Sequence, residues 1–418
     1  MRVLLGPSHE LHDGIHGALT DNPAPDIEYC EGAYGTCFQY EAASSDPFSP
    51  IHDHSECEWV RFDDEHRVDL IHSARFPVDT ALPWVVDADC LLLPLQIGAF
   101  FALGIHEGSR RPGEAQVQRR EAAMAVRYAD PGCTRIMLRS ERAHRQFFSE
   151  ILGNPLIDPA IVAALAAKTE VVYPAVPASP PRAGSSEIPT ILFMGRTFED
   201  KGGRLAVAVL ERLHAQLGNS FRATVVSGCP PDAAERLEAI GVEVHATMPR
   251  ATYLDRLAQV DIFFSPTLFE SFGMGLVEAA AAGAAIVTSS GPGMEHIGEL
   301  FQDGVDARLV SNAMTEDRRV QAYVEALSGL IRDPPARRAL AASAHRLADT
   351  GRLSLDRHNQ TMSSIYAAAV QASAPEGMGR MAAEPGQTGP SRTLVWSERV
   401  CHWAKRRHTP PGGLRICL

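Results

Sequence analysis

Glu270-Ser271-Phe272-Gly273-Met274-Gly275-Leu276-Val277-Glu278 places two carboxylates eight positions apart around a glycine-rich turn. The stretch follows the apolar run Ile262-Phe263-Phe264 and precedes an alanine-rich run, so it predicts a strand, a loop and a helix. A loop at a helix start presents free backbone N–H groups, and carboxylates beside them accept hydrogen bonds from hydroxyls. The stretch therefore predicts a binding site for a polyhydroxylated, phosphorylated ligand such as a nucleotide sugar.

The sequence on both sides of this stretch alternates between short apolar runs and amphipathic runs. Strands that alternate with helices at this spacing are typical of a parallel, doubly wound α/β sheet. The pattern predicts strands at 190–194, 222–227, 242–246, 260–265 and 284–288, and helices at 202–217, 231–239, 251–258, 273–282 and 294–299.

A second, less regular α/β domain is predicted before this segment. The two are separated at 179–189 by a linker rich in Pro, Gly and Ser without periodicity. We expect an N-terminal domain at 1–178, a C-terminal domain at 190–354, a helix at 355–372 that packs back on the first domain, and a disordered tail at 373–418. The other predicted strands are 2–5, 68–72, 83–87, 134–138 and 170–173, and the other helical runs are 114–127, 140–152, 316–331, 335–348 and 356–371.

Composition limits the class of protein. The 418 residues are 45% hydrophobic and 22% charged, as expected for a soluble protein of two domains. The net charge of −12 argues against nucleic acid as the main partner. The short apolar N-terminus and eight cysteines without paired spacing predict a cytoplasmic protein with reduced thiols. Basic and aromatic residues of the tail favour either peripheral contact with the inner membrane face or a solvated extension: Trp396, Arg399, Trp403, Lys405, Arg406 and Arg407.

A cationic loop follows the predicted strand 190–194. Arg196 offers a planar guanidinium for phosphate oxygens, Lys201 offers a mobile charge, and Gly202-Gly203 begin the next helix. Ligands of open α/β sheets bind at the carboxyl ends of the strands, where this loop lies. The later strands end in similar small-residue turns, at 227–230, 247–250, 270–275 and 291–295. Their recurrence at one sheet edge predicts a diphosphate site.

The segment from Phe193 to Val310 resembles the donor-binding domain of family 4 retaining glycosyltransferases, which have the GT-B fold and are of the glycosyl transferase group 1 type. The resemblance implies two Rossmann-like domains that face each other across a cleft. The matching elements are Gly195-Arg196 with Lys201-Gly202, Ser227-Gly228, Ser265-Pro266, Glu270-Ser271-Phe272-Gly273, Glu278-Ala279, Ala282-Gly283 and Gly293 to Glu295.

The resemblance also implies roles for these residues. Arg196 and Lys201 would bind the donor diphosphate, and Glu270 would bind a sugar hydroxyl; these three are the expected catalytic residues. Glu278 would bind the ribose hydroxyls. Because cations and amide dipoles stabilise charge on a leaving phosphate, no metal and no cofactor are expected. The other implied donor contacts are the amides of Phe272, Gly273, Met274 and Gly275, and, near the base, Ser227, Gly228, Met248 and Pro249.

The first half resembles the acceptor domain of the same family more faintly. Gly14 and His16, at the start of the first predicted helix, are expected on the acceptor side, and His9 and His12 are expected to face the cleft with them. Many members place a histidine after the strand that corresponds to 83–86, but this chain has Asp87-Ala88-Asp89-Cys90. Asp87 and Asp89 would orient or deprotonate an acceptor hydroxyl, chelate a divalent metal, or serve as turn carboxylates.

The sequence therefore predicts an enzyme that moves a sugar from a nucleotide-diphosphate-sugar donor to an acceptor, with retention of anomeric configuration. The expected acceptor is a glycan, a lipid-linked molecule or a small molecule. Two other functions stay open on the same fold: a non-catalytic nucleotide-sugar-binding protein, and a sugar-nucleotide epimerase or phosphorylase. A dinucleotide oxidoreductase is disfavoured, because no Gly-x-Gly-x-x-Gly follows a strand.

Overall fold

The computed structural model describes residues 1–40, 55–63, 67–88, 114–180, 187–372 and 392–396. The strands in these residues are β1 (Arg2–Gly6), β2 (Glu28–Cys30), β3 (Tyr34–Tyr40), β4 (Ser55–Phe62), β5 (Leu70–Ala74), β6 (Trp84–Ala88), β7 (Cys133–Leu138), β8 (Thr169–Val171), β9 (Thr190–Met194), β10 (Arg222–Val226), β11 (Glu243–His245), β12 (Ile262–Ser265), β13 (Ala285–Ser290), β14 (Arg308–Ser311) and β15 (Arg392–Trp396).

The helices begin mostly at residues that cap or start a helix well. Asp158 and Asp333, for example, each accept a hydrogen bond from an amide of the first turn, and each precedes a proline. The helices are α1 (His16–Asp21), α2 (Glu114–Ala129), α3 (Glu141–Gly153), α4 (Pro159–Lys168), α5 (Gly203–Leu217), α6 (Pro231–Ala239), α7 (Arg250–Leu257), α8 (Met274–Ala281), α9 (Glu295–Leu300), α10 (Glu316–Arg332), α11 (Pro334–Asp349) and α12 (Leu355–Ala372).

Two parallel six-stranded sheets organise the chain. The first has the strand order β2-β1-β5-β6-β7-β8 and the second β11-β10-β9-β12-β13-β14. All residues of the central strands β5, β6 and β12 are buried, as expected for parallel strands covered by helices on both faces. In each sheet the first strand lies inside the sheet, the chain adds strands toward one edge, and it then adds the remaining strands on the other side of the first strand. This order makes each sheet doubly wound. The predicted fold class is confirmed.

The last long helix, α12, returns from the second sheet to the first. Its Tyr366 hydroxyl bonds His72 Nδ1 on β5 at 2.7 Å, and Asn359 donates to the Asn22 carbonyl at 2.8 Å. Met362, Ile365, Tyr366 and Ala369 share one apolar cluster with residues of β1, β5, β6 and β7. The chain therefore crosses between the sheets twice, once before β9 and once before α12.

The predicted elements of residues 190–299 are confirmed, each end lying within two residues of its prediction. The same is true of the strands and helices predicted in the first half and after residue 315. Five elements of the described residues before position 315 were missed: β2, β3, β4, β14 and α4.

The third sheet corrects one expectation about the tail. It is antiparallel, with the strand order β15-β3-β4, so residues 392–396 of the predicted disordered tail form a strand. The rest of that tail, Asp89 and linker residues 181–186 lie outside the described residues. Among the described helices, none has both the length and the apolar character needed to cross a membrane.

Candidate active site

The loops with ligand-type residues meet at one edge of the second sheet. Strands β9 to β13 run parallel, so the loops that follow them all leave at their carboxyl ends. These loops contain residues 195–202, 227–230, 246–249, 266–273 and 291–294. The structure therefore brings together the segments predicted from their separate positions in the sequence.

Lys201 and Glu270 are in direct contact. Lys201 Nζ lies 2.8 Å from Glu270 Oε2 and donates to the Phe269 carbonyl at 3.1 Å. A Cβ atom on Gly195 would lie 2.6 Å from Lys201 Cβ, so the absence of a side chain at Gly195 lets the lysine stem lie across the loop. Both partners are about one-fifth exposed, so this ion pair can be reached by a ligand.

Glu278 forms a second ion pair on the same edge. Its Oε1 accepts a hydrogen bond from Arg250 at 2.7 Å, and its side chain is only 4% exposed. The Tyr253 hydroxyl is also buried beside this carboxylate; burial, followed by the Glu278 charge, raises the Tyr253 pKa well above its usual value. Glu278 is thus held in one position by its neighbours.

Two glycines shape the helix starts at this edge. Gly202 caps α5 with φ +72°, and Gly273 caps α8 with φ +101°, both in the left-handed region that glycine adopts at little cost. A Cβ atom on Gly202 would lie 2.0 Å from the Pro266 carbonyl oxygen, so the loops after β9 and β12 touch at this glycine. The amides of Met274 and Gly275 in the first turn of α8 have no acceptor within their own helix.

The other predicted donor residues take different positions along the edge. Arg196 is exposed, whereas Phe272 is 2% exposed and packs near Tyr173, so its backbone alone is offered to a ligand. Ser227 is buried and donates to the Gly195 carbonyl at 2.7 Å, which ties two loops together. Gly228 and Pro249 are exposed, and Met248 packs partly against the core of the second sheet.

The first loop of the N-terminal half reaches this edge. A Cβ atom on Gly14 would lie 3.2 Å from Glu278 Oε1 and 3.2 Å from His12 Cε1. The halves also meet where α3 packs against α9: Arg142 pairs with Glu295 at 3.1 Å, and Arg145 pairs with Glu299 at 2.8 Å. The two halves therefore touch both at the candidate site and through these two helices.

Asp87, for which acceptor contact was one of the predicted roles, is buried at the end of β6 in the first sheet. The residue is 7% exposed, and its carboxylate contacts Arg139 at 2.6 Å and His16 Nε2 at 3.3 Å. Burial by itself would raise the pKa of Asp87, but the Arg139 guanidinium and the hydrogen bond from His16 hold it well below its usual range. His16, expected on the acceptor side, is 1% exposed and belongs to the same cluster.

Some residues of this region were not predicted. Arg250 was noted only as the end of a loop. It is a cation at a helix start, three residues before Tyr253, and could have been considered as a partner of Glu278. His72 on β5 and Arg139 just after β7 contact Asp87, and no local spacing in the sequence connects them.

Comparison with known proteins agrees with this arrangement. Residues 188–333 match the family described as Glycosyl transferases group 1. The D-inositol 3-phosphate glycosyltransferase of Xylanimonas cellulosilytica is 28% identical over 193 residues, which are 44% of this chain and 43% of the relative. The enzyme of the same name from Rhodococcus opacus is 30% identical over 171 residues, 38% of this chain and 36% of the relative. The chain thus spans less than half the length of these curated relatives.

Solved structures extend the likeness to both halves of the chain. The crystal structure of Anabaena Alr3699/HepE in complex with UDP and glucose is 16% identical, covers 88% of this chain and 100% of its own, and has a TM-score of 0.53. Sucrose-phosphate synthase from Thermosynechococcus elongatus is 14% identical, covers 89% of this chain and 99% of its own, and has a TM-score of 0.55. At these identities the likeness shows the fold. Residues 188–333 therefore match the glycosyl transferases group 1 family, and the chain has the two-domain GT-B fold.

Proposed function

We propose that this protein is a glycosyltransferase that takes its sugar from a nucleotide-diphosphate-sugar donor and transfers it to a hydroxylated acceptor with retention of configuration. One observation carries the proposal: the Lys201–Glu270 and Arg250–Glu278 pairs, Arg196 and Gly14 converge on one sheet edge. The matched glycosyltransferase family and the GT-B fold, shared with a structure that contains UDP and glucose, support the same choice.

Each group on this edge has a chemical task in the proposed reaction. Glu278 accepts hydrogen bonds from the ribose hydroxyls, and Glu270 accepts one from a sugar hydroxyl. Arg196, Lys201 and the first-turn amides of α8 bind the diphosphate, whose negative charge grows as the bond to the anomeric carbon breaks. The acceptor oxygen forms its bond to that carbon on the same face, and its proton passes to an oxygen of the leaving diphosphate. The acceptor approaches from the first domain.

The proposal is tested first by titrating the full chain with UDP-, GDP- and ADP-sugars. With an acceptor panel, we expect release of nucleoside diphosphate in equal amount to the glycoside formed, and NMR of the product should show the anomeric configuration of the donor. Binding without turnover on any acceptor or on water would identify a binding protein instead. Free phosphate or an epimerised sugar nucleotide among the products would indicate a phosphorylase or epimerase.

Arg196→Ala tests the donor assignment. We expect transfer to fall by about 100-fold or more, because a cation aimed at the leaving diphosphate is lost. Arg222→Ala is the matched control, since Arg222 is also exposed but lies at the opposite end of the parallel strands. Equal activity of the two variants would remove Arg196 from the site.

A further inference from the structure

His12 lies where the first loop of the N-terminal half meets the candidate donor site. It stands between the short turn Ser8–Glu10 and helix α1, on the loop that brings Gly14 against Glu278. A Cβ atom on Gly14 would come within 3.3 Å of both the His12 ring and the Glu278 carboxylate. Gly14 therefore lies between the His12 imidazole and Glu278, the residue of the other domain that is predicted to bind the ribose.

The hydrogen bonds of the loop fix the tautomer of His12. The Gly14 amide donates to His12 Nδ1 at 3.0 Å. A ring nitrogen that accepts a hydrogen bond carries no proton, so the proton of the neutral ring is on Nε2. No hydrogen bond joins that Nε2 to another group in the described part of the chain. The ring thus offers one N–H donor to a ligand.

The charges around His12 favour an anionic ligand. Burial lowers the pKa of His12 most, followed by the charges of Arg196, Arg139, His16 and Arg75, and together they bring it to about 4. At neutral pH the ring is therefore uncharged, and it donates a hydrogen bond without giving up its proton. An N–H donor flanked by arginines suits a phosphate oxygen better than a neutral hydroxyl.

A buried cluster holds the loop in place. The His12 amide donates to His16 Nδ1 at 2.7 Å, and His16 Nε2 lies 3.3 Å from the Asp87 carboxylate, which Arg139 also binds. Because Asp87 selects the His16 tautomer with a proton on Nε2, His16 Nδ1 is free to accept from the His12 backbone. The cluster thus positions His12 before a ligand arrives.

We propose that His12 donates its Nε2–H to a non-bridging oxygen of the donor diphosphate, opposite Arg196. The inference rests on the proposed function and adds a catalytic residue from the N-terminal half. The hydrogen bond strengthens as the bond from the anomeric carbon to the diphosphate oxygen breaks, because negative charge then collects on the leaving group. The proton stays on His12 throughout, and the acceptor proton goes to the diphosphate as before.

Two substitutions distinguish the contributions of the two ring nitrogens of His12. His12→Asn keeps an acceptor near the Nδ1 position for the Gly14 amide but has no group at the Nε2 position. His12→Gln places an N–H donor near the Nε2 position. In the full chain we expect His12→Asn to lose about 50-fold or more in kcat and to bind nucleoside diphosphate about 10-fold more weakly, and His12→Gln to stay within about 10-fold of the parent.

His214→Asn is the control substitution, since it lies in the last turn of α5, about 17 Å along the helix from its start. Unchanged kcat and nucleoside diphosphate affinity in His12→Asn would overturn the inference, and so would an equal loss in His12→Asn and His12→Gln. Failure of the parent protein to bind UDP, GDP or ADP would instead overturn the proposed function.

A measurement on the unsubstituted protein covers the case in which the variants do not fold. With nitrogen-15 in its histidines, NMR should show His12 as the tautomer protonated at Nε2, and that signal should shift on addition of the nucleoside diphosphate that binds but not of its nucleoside. A His12 ring protonated at Nδ1, or a signal unmoved by the diphosphate, would overturn the inference.

Discussion

Gly14 is the residue at which a single methyl group has the clearest expected effect. Its ideal Cβ position lies 3.2 Å from Glu278 Oε1 and from His12 Cε1, closer than ordinary van der Waals contact. The two groups come from different halves of the chain, and both belong to the candidate site. A methyl group at this position therefore requires both groups to shift by a few tenths of an ångström where the donor is proposed to bind.

Gly14→Ala should reduce sugar transfer about 10-fold or more, mainly through weaker donor binding, because Glu278 and His12 must both move. Gly17→Ala is the matched control: no atom lies within 4 Å of its ideal Cβ, and the residue is in α1, where alanine favours the helix. Steady-state kinetics of both variants would check this. Equal KM values for the donor would show that the halves do not close on Gly14.

The sequence was informative about residues that stand close together along the chain. Glu270 and Glu278 could be predicted as ligand-type groups because one loop and one helix connect them, and Lys201 because it begins a helix after a strand. The surroundings of Asp87 could not be predicted, for the opposite reason. Its partners His16, His72 and Arg139 come from three other segments, and only the folded sheet brings their side chains to one carboxylate.

The start of α5 depends on a glycine that no other residue can replace without strain. Gly202 has φ +72°, and its ideal Cβ position overlaps the Pro266 carbonyl oxygen at 2.0 Å. Gly218, at the other end of the same helix, has φ +54° but has no atom within 4 Å of its ideal Cβ. The two ends of α5 thus both have a positive φ, but they differ in ψ, 33° at Gly202 and −131° at Gly218, and in their surroundings.

Gly202→Ala should lower the free energy of unfolding by about 3 kcal/mol or more, through left-handed strain together with the clash. Gly218→Ala should lower it less, through backbone strain alone, because no atom lies near its ideal Cβ position. Urea unfolding followed by circular dichroism measures both. If the two variants lose the same stability, the contact between the loops after β9 and β12 is not formed in solution.

Element boundaries could be predicted best where strands and helices alternate without interruption. Residues 190–299 repeat one local pattern, so each element was located within two residues. The missed strands β2, β3 and β4 depend on pairing with distant partners: β2 has three residues, and β15 reaches β3 from more than 350 positions away. Such pairing leaves no periodic signal in the sequence.

The folded protein holds several histidines in their neutral form. His12, His296 and His358 each have a pKa of about 4, in every case mainly because burial disfavours the charged ring. The ordinary pKa of histidine is about 6.5. Between these values the unfolded chain binds protons that the folded chain does not, so the folded state is favoured fully above about pH 6.5 and progressively less below it.

The free energy of unfolding should therefore fall as the pH is lowered from 7 to 4, with each histidine adding up to about 1.4 kcal/mol per pH unit. His358→Asn removes one titrating ring and keeps a donor for the Tyr173 carbonyl, which His358 Nδ1 contacts at 2.9 Å. Urea unfolding at pH 7, 6 and 5 should give this variant a shallower slope than the parent. A flat profile in the parent would contradict the burial of these rings.

The two crossings between the sheets lie side by side, with a parallel bridge between Val176 and Ser354. Two chain segments joined in this way form a hinge between the halves. We expect the halves to rotate about the line through these segments, because twisting one half against the other would break the bridge. Opening and closing around a ligand would then be motion with one principal direction, so each closure returns Gly14 to the same carboxylate of the facing domain.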